Sequence, residues 1–187
     1  MAELILYITA MAITPGPNTI LSMANAARTG LRKGIRLNLG MLIGITAVTL
    51  LAWGTAELLY AIIPKAEMGM KAIAFAYLVF LAIKMLLPKS IEEGEGATFI
   101  QGLLLQLVNV KVYLLAITAI TAYIMPLSGS AAETGLISLL IPAICFLSGL
   151  VWAIGGSLIK TFYLRHSRLL SILFSLLLLW CAASIFF

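Results

Sequence analysis

The first chemically unusual stretch of the chain is Thr14-Pro15-Gly16-Pro17-Asn18, which interrupts an otherwise apolar segment. Pro15 and Pro17 have no amide hydrogen and clash with carbonyl groups four residues earlier, so a helix should break here. Inside a membrane, such backbone is tolerated only where protein or a watery cavity meets it. With Asn18 as the N-cap of a new half-helix, carbonyl oxygens and amide groups would lie together and suit a zwitterion. A simple proline kink, satisfied by neighbouring helices, is the alternative.

A second polar interruption, formed by Gln106, Asn109 and Lys111, lies in a later apolar segment. A lysine at the centre of a membrane helix costs about 2.5–3.5 kcal/mol, so such residues usually face the protein interior and serve a function. Lys111 could attract a substrate carboxylate or carry a coupling proton, or it could extend to the membrane surface. Gln106 and Asn109 are candidates for a binding site or, alternatively, for hydrogen bonds between helices.

The composition requires lipid as the main solvent of these elements. Of 187 residues, 63% are hydrophobic and 10% are charged, whereas about a quarter are charged in an ordinary soluble domain. This excludes a soluble globular protein, a disordered chain and a nucleic-acid-binding protein. The net charge of +5 is then a property of membrane-flanking loops. Cys145 and Cys181 lie in apolar runs without disulfide or metal spacing.

The apolar stretches predict an all-α polytopic membrane protein of six transmembrane helices. They fall at about 3–27, 37–63, 72–88, 98–125, 134–159 and 169–187. Residues 1–88 and 98–187 are expected to form two three-helix repeats, joined by a linker at 89–97. Because each repeat has an odd number of spans, the second repeat must be inverted. Its first helix and that of the first repeat are interrupted at comparable depth, which is the best sequence pointer to a transporter's binding site.

Basic residues predict the orientation of these helices. The connections at 28–36, 84–89 and 160–168 hold nine Lys and Arg residues against two in the alternate connections. The positive-inside rule therefore places both termini outside. Gly40 and Gly44 have the GxxxG spacing for close helix packing, either within the chain or as the face of a homodimer.

Other classes of protein lack the residues that they need. Catalysis in the membrane would require a nucleophile with a base, paired carboxylates or a metal cluster. The chain has no aspartate, and its one histidine, His166, is expected in a connection. Glu57 is expected near the outer interface. No enzyme activity, metal site or cofactor is predicted.

Three tyrosines are candidates to set substrate selectivity: Tyr7, Tyr77 and Tyr113. No spacing selects among them.

At the two interruptions the chain resembles the LysE/RhtB family of bacterial amino-acid exporters. The resemblance covers essentially the whole chain and is carried by Thr-Pro-Gly-Pro-Asn at 14–18, Ala-Tyr-Leu at 76–78, Asn-x-Lys at 109–111 and the glycines Gly30, Gly34, Gly40 and Gly44. Most members have Asn-Pro-Lys in the fourth helix, where Val110 stands here. That departure, the surrounding Gln-Leu-Val-Asn-Val-Lys and the closing Cys-Ala-Ala-Ser-Ile-Phe-Phe are most similar to the cysteine/O-acetylserine exporter branch.

The resemblance implies efflux of a small neutral amino acid or derivative across the bacterial inner membrane, driven by the proton motive force. Its partners would be the amino acid, protons and the lipid bilayer. It points to residues 14–18, Asn109 and Lys111 as the translocation site. The alternatives are export of another amino acid (homoserine or threonine, leucine, lysine) and export of a different small solute or of a cation. A non-transport role in membrane assembly is a further alternative.

Overall fold

The computed structural model describes residues 1–86 and 96–186, with the backbone alone for residues 56–67. This part of the chain forms ten α-helices: α1 (Ala2–Ile13), α2 (Pro17–Thr29), α3 (Leu31–Gly54), α4 (Ala56–Leu86), α5 (Phe99–Val108), α6 (Val110–Thr118), α7 (Ala131–Ser138), α8 (Leu140–Leu158), α9 (Lys160–Arg165) and α10 (Ser167–Ser184). After α6 the chain continues as a π-helix over Ala119–Ile124 and a 3₁₀ turn over Met125–Leu127.

These helices provide six candidate membrane spans within the described residues. α1 and α2 together form the first span, which is bent by 56° at the break between them. The other five are Leu31–Gly54, Met68–Leu86, Val110–Leu127, Ala131–Leu158 and Ser167–Ser184. The shorter apolar helix α5, directly before Val110–Leu127, is treated as part of this fourth span. The all-α, six-helix membrane architecture predicted from the sequence is confirmed.

Several helices begin or end away from the predicted span boundaries, because the connections between helices are shorter than expected. The loop expected at 28–36 contracts to Gly30, whose φ of 82° suits glycine. The second helix ends at Gly54 instead of about residue 63, and α4 runs through the connection expected at 64–71. Charged residues mark where a helix leaves hydrocarbon, but its backbone hydrogen bonds can continue beyond that point. The linker expected at 89–97 lies almost entirely outside the described residues.

The two halves of the chain pack across each other. α2 of the first span packs mainly against α8 of the fifth, and α5 of the fourth span packs mainly against α3 of the second. α4 packs against α10, so the third and sixth spans also meet. Each half thus places its first span against the second span of the other half. This reciprocal packing agrees with two-fold symmetry between the halves. The two inverted repeats themselves remain a prediction.

Glycines bring α3 and α5 into backbone contact. A Cβ atom on Gly40 would overlap the carbonyl oxygen of Phe99, and one on Gly44 would lie 2.7 Å from Cβ of Gln106. Both glycines are buried. They are therefore occupied by a contact within the chain and cannot also form a dimer face; a homodimer remains a prediction without an assigned surface.

Two buried apolar clusters flank the helix breaks. One lies between α2, α4 and α10 and includes Leu21, Leu78 and Phe174. The other joins α1, α3, α6 and the π-helix and includes Ile8 and Ile45. The two clusters hold the half-helices on either side of each break.

Candidate functional site

The break in the first span covers residues 14–16. Thr14 is extended (φ −55°, ψ 130°), and its N–H and hydroxyl both turn back to the carbonyl oxygen of Ala10, at 3.3 and 2.6 Å. Gly16 is also extended, with φ −169° and ψ −176°. The two residues that precede prolines are therefore the ones that leave the helix, as the steric restriction on such residues requires.

The N-cap of α2 is Gly16, and the expectation that Asn18 would cap this helix was wrong. The hydroxyl oxygen of Thr19 accepts a hydrogen bond from the Gly16 N–H at 2.9 Å and donates one to the Gly16 carbonyl at 3.0 Å. Pro17 takes the first helical position, where a missing amide hydrogen is harmless. This arrangement leaves the side chain of Asn18 free for contacts with another span.

The break in the fourth span is a single residue, Asn109, between α5 and α6. Its backbone is extended, with φ −85° and ψ 98°. Its side-chain oxygen accepts a hydrogen bond from the Lys111 N–H at 3.1 Å, which caps α6. The break therefore forms with Val110 at the position where the resemblance led us to expect proline, but it is narrower than the break in the first span.

Three side-chain amides join the two breaks. Asn18 Nδ2 donates to Gln106 Oε1 at 2.8 Å, and Gln106 Nε2 donates back to Asn18 Oδ1 at 3.1 Å. Asn109 Nδ2 donates to the same Asn18 oxygen at 3.2 Å. Gln106 is completely buried. The polar residues that the sequence placed on separate helices thus form one hydrogen-bonded cluster, named here the amide cluster (Asn18, Gln106 and Asn109).

An open cleft lies beside the amide cluster. The predicted site residues that line it are Thr14, Gly16, Pro17, Asn18, Asn109 and Lys111. Pro15 and Gln106 are absent from the lining: Gln106 contacts Asn18 from the protein interior. Six of the eight predicted residues therefore share one cavity.

Lys111 brings a positive charge to the cleft. Its Nζ atom lies 3.8 Å from the position that a Cβ on Gly16 would occupy, so the ammonium faces the extended backbone of the first break. Its side chain is half-buried, and among the described residues no carboxylate pairs with it. A partly buried ammonium without a counter-charge attracts an anionic group. This part of the cleft is suited to a carboxylate.

The end of α1 contributes carbonyl oxygens. The residues four positions after Met11 and Ile13 are prolines, which have no N–H to donate. The intervening Ala12 carbonyl accepts a hydrogen bond from Ser148 of α8 at 2.9 Å. Met11 and Ala12 both line the cleft. The end of α1, which has carbonyl groups without helical N–H partners, therefore borders the cavity that Lys111 also lines.

Sequence reasoning missed several residues of the cleft wall. Asn38 of α3 and Cys145 of α8 line the cleft, and Ser148 supports it through Ala12. Each is an isolated polar or thiol side chain in an apolar helix, with no motif to mark it. These residues can be assigned to the cleft only from the packing of α3 and α8 around the first span.

The other candidates lie away from the cleft. Tyr77 donates to the carbonyl of Gln101 at 2.9 Å, Tyr113 to that of Leu107 at 3.1 Å, and Tyr7 stacks on Tyr123 with ring centroids 5.1 Å apart. None of the three tyrosine candidates lines the cavity.

His166 and Glu57 are the remaining residues considered from the sequence. His166 is exposed between α9 and α10, and the side chain of Glu57 lies outside the described residues. Within 1–86 and 96–186, no group of three or more His, Cys, Asp or Glu side chains could hold a metal ion.

Comparison with known proteins supplies the wider context. The model of the LysE type translocator family matches residues 9–186. Cysteine/O-acetylserine efflux proteins of Escherichia coli (strain K12), Shigella sonnei and Shigella flexneri are each 33% identical over 184 residues, which cover 97% of this chain and 94% of each relative. No protein of solved structure gives a significant match.

Proposed function

Because the chain belongs to the family of LysE type translocators, we propose that it exports small neutral amino acids or their derivatives, with cysteine and O-acetylserine as substrates. The relatives that share a third of its residues carry that activity in their names. The protein is a multi-pass membrane protein and a transporter, which agrees with its six candidate spans. We place it in the bacterial inner membrane with both termini outside.

The observation that carries the proposal is the position of Lys111 beside two joined helix breaks. The amide cluster connects the first and fourth spans, and the ammonium of Lys111 faces the extended backbone at Gly16. An amino-acid zwitterion matches this arrangement. We assign its carboxylate to Lys111 and its ammonium to the carbonyl oxygens at the end of α1.

The transport mechanism that fits this site is alternating access between the two halves. The first span of each half packs against the second span of the other, and the cleft lies where the broken spans meet. Rocking of one half against the other would then expose the cleft to each side of the membrane in turn. We propose that the proton motive force drives the cycle, with inward proton movement coupled to outward movement of substrate.

The test is uptake of labelled cysteine, O-acetylserine, threonine and lysine into energised inside-out membrane vesicles. Wild-type protein is compared with Lys111→Ala and with Lys33→Ala, a matched loss of one positive charge at an exposed position of α3. We expect uptake of cysteine and O-acetylserine that an uncoupler abolishes. Lys111→Ala should lose this uptake and Lys33→Ala should keep it.

Each part of the proposal has its own contradicting result. Uptake that resists the uncoupler overturns the proton coupling, and uptake that survives Lys111→Ala overturns the carboxylate assignment. Uptake of threonine or lysine alone overturns the substrate assignment. No uptake by protein shown to be folded and inserted overturns amino-acid export.

A further inference from the structure

One polar contact in the cleft wall is not explained by the site described above. Asn38 of α3, Ser22 of α2 and Gly149 of α8 meet where these three helices cross. The hydroxyl oxygen of Ser22 lies 2.9 Å from Asn38 Oδ1 and 2.8 Å from the carbonyl oxygen of Gly149. Asn38 and Gly149 both line the cleft. The contact therefore belongs to the wall of the cavity and not to the distant core.

The hydrogen bonds at this contact do not balance. A serine hydroxyl has one proton and can donate to only one of its two neighbouring oxygens. Asn38 is buried, with 2% of its surface exposed. Its Nδ2 has no hydrogen-bond partner among the described residues. Rotating the amide by 180° would let Nδ2 donate to Ser22, but the oxygen would then lack a partner. In the orientation that the structure shows, the unpaired group is the Nδ2 donor, and leaving it unpaired is costly for a buried group.

The position of Asn38 is fixed by its surroundings. A Cβ atom on Gly149 would lie 2.8 Å from Asn38 Oδ1, so the glycine leaves room for this amide and little else. The hydroxyl of Ser22 contacts the same oxygen. The unpaired Nδ2 has almost no accessible surface, so a substrate oxygen that pairs with it must enter the cleft wall at Asn38.

We propose that Asn38 determines substrate specificity by hydrogen-bonding an oxygen atom in the substrate's side chain, such as the ester oxygen of an O-acylated serine. This inference rests on the proposed amino-acid export. Lys111 and the carbonyl oxygens of α1 are assigned to the carboxylate and ammonium that all amino acids share, so Asn38 is left for the group that differs. A thiol is a weak donor and a weak acceptor. Asn38 therefore favours oxygen-bearing over sulfur-bearing side chains.

The test is the ratio of O-acetylserine uptake to cysteine uptake in inside-out vesicles. Asn38→Leu keeps a similar side-chain volume and removes the amide, while Ser22 can still donate to the Gly149 carbonyl. We expect the ratio to fall roughly tenfold, as for the loss of one well-placed hydrogen bond, with cysteine uptake retained. Thr46→Val is the matched control, because Thr46 is a polar residue of the same helix whose hydroxyl donates to the Leu42 carbonyl within that helix and which does not line the cleft. Its ratio should equal that of wild type.

The contradicting results are separable from failure of the export proposal. An unchanged ratio in Asn38→Leu, with both substrates transported, overturns the role of Asn38 and leaves export intact. Loss of both substrates in Asn38→Leu, but not in Thr46→Val, also overturns it, because the residue would then be structural. Absence of both activities in wild-type protein overturns export itself and this inference with it.

Discussion

Gly44 of α3 lies directly against the side chain of Gln106 of α5. A Cβ atom at position 44 would come within 2.7 Å of Cβ and 2.9 Å of Cγ of Gln106. Gln106 in turn exchanges two hydrogen bonds with Asn18 across the amide cluster. The hydrogen bonds that Asn18 makes beside the first break thus depend on the absence of a side chain at Gly44 of α3.

We expect Gly44→Ala to impair transport by displacing Gln106 from Asn18. Overpacking of this kind costs about 1–3 kcal/mol, and the loss falls on hydrogen bonds beside the cleft. Uptake of labelled substrate in inside-out vesicles measures the effect. Gly155→Ala is the control, because a Cβ there meets no atom within 4 Å. Wild-type uptake by Gly44→Ala would show that the amide cluster tolerates displacement.

We expect Val110→Pro to fold and to transport. Val110 is the first residue of α6, a position that accepts proline, and Asn109 before it is already extended. Val112→Pro should be far more harmful. The Val112 N–H donates to the Asn109 carbonyl at 2.9 Å, and losing this donor leaves a buried carbonyl unpaired at about 1–3 kcal/mol. Melting temperature in detergent and uptake in vesicles test both variants; equal damage by the two would refute the position of the break.

The crossing of α2 and α8 predicts a contrast between adjacent glycines. A Cβ on Gly156 would overlap the carbonyl oxygen of Met23, whereas Gly155 has open space around it. Gly156→Ala should therefore lower the melting temperature by several degrees, at about 1–3 kcal/mol of overpacking. Gly155→Ala should leave it unchanged or slightly higher. Equal melting temperatures for the two variants would mean that the helices do not cross at Met23.

The hydrogen bond from Ser148 to Ala12 predicts a role for α8 in supporting the first break. Ser148→Ala leaves the Ala12 carbonyl without its donor, and we expect a loss of about 1–3 kcal/mol of stability. Ser157→Ala is the control from the same helix, because Ser157 donates only to the carbonyl of Ile154 in its own helix. Thermal unfolding of the purified variants measures the difference. The same melting temperature for Ser148→Ala and wild type would contradict this role.

The sequence predicts the two breaks because their causes are local. Pro15 and Pro17 remove amide hydrogens and restrict the residues before them, which suffices to end α1 and begin α2. The fourth span has no such proline, yet Asn109 among apolar residues marks the break correctly. Six spans follow from apolar length alone.

The remaining features depend on contacts that no local pattern contains. The N-cap of α2 is Gly16 and not the predicted Asn18, because Thr19 accepts a hydrogen bond from the Gly16 N–H and the Asn18 side chain donates to Gln106. The sequence did not indicate Asn38 as a site residue, because its role depends on contacts with Ser22 of α2 and Gly149 of α8. The connection at 28–36 looked like a loop because its charges were visible and its helical hydrogen bonds were not.

The division of the first span has a consequence for how the protein is assembled as it leaves the ribosome. α1 has 12 residues and α2 has 13, so each is about 18–20 Å long, shorter than a hydrocarbon core of about 30 Å. Neither half can cross the bilayer alone. Their principal partner is α8, which is synthesised more than a hundred residues later. The span formed by α1 and α2 therefore reaches its final geometry only after the fifth span has been inserted.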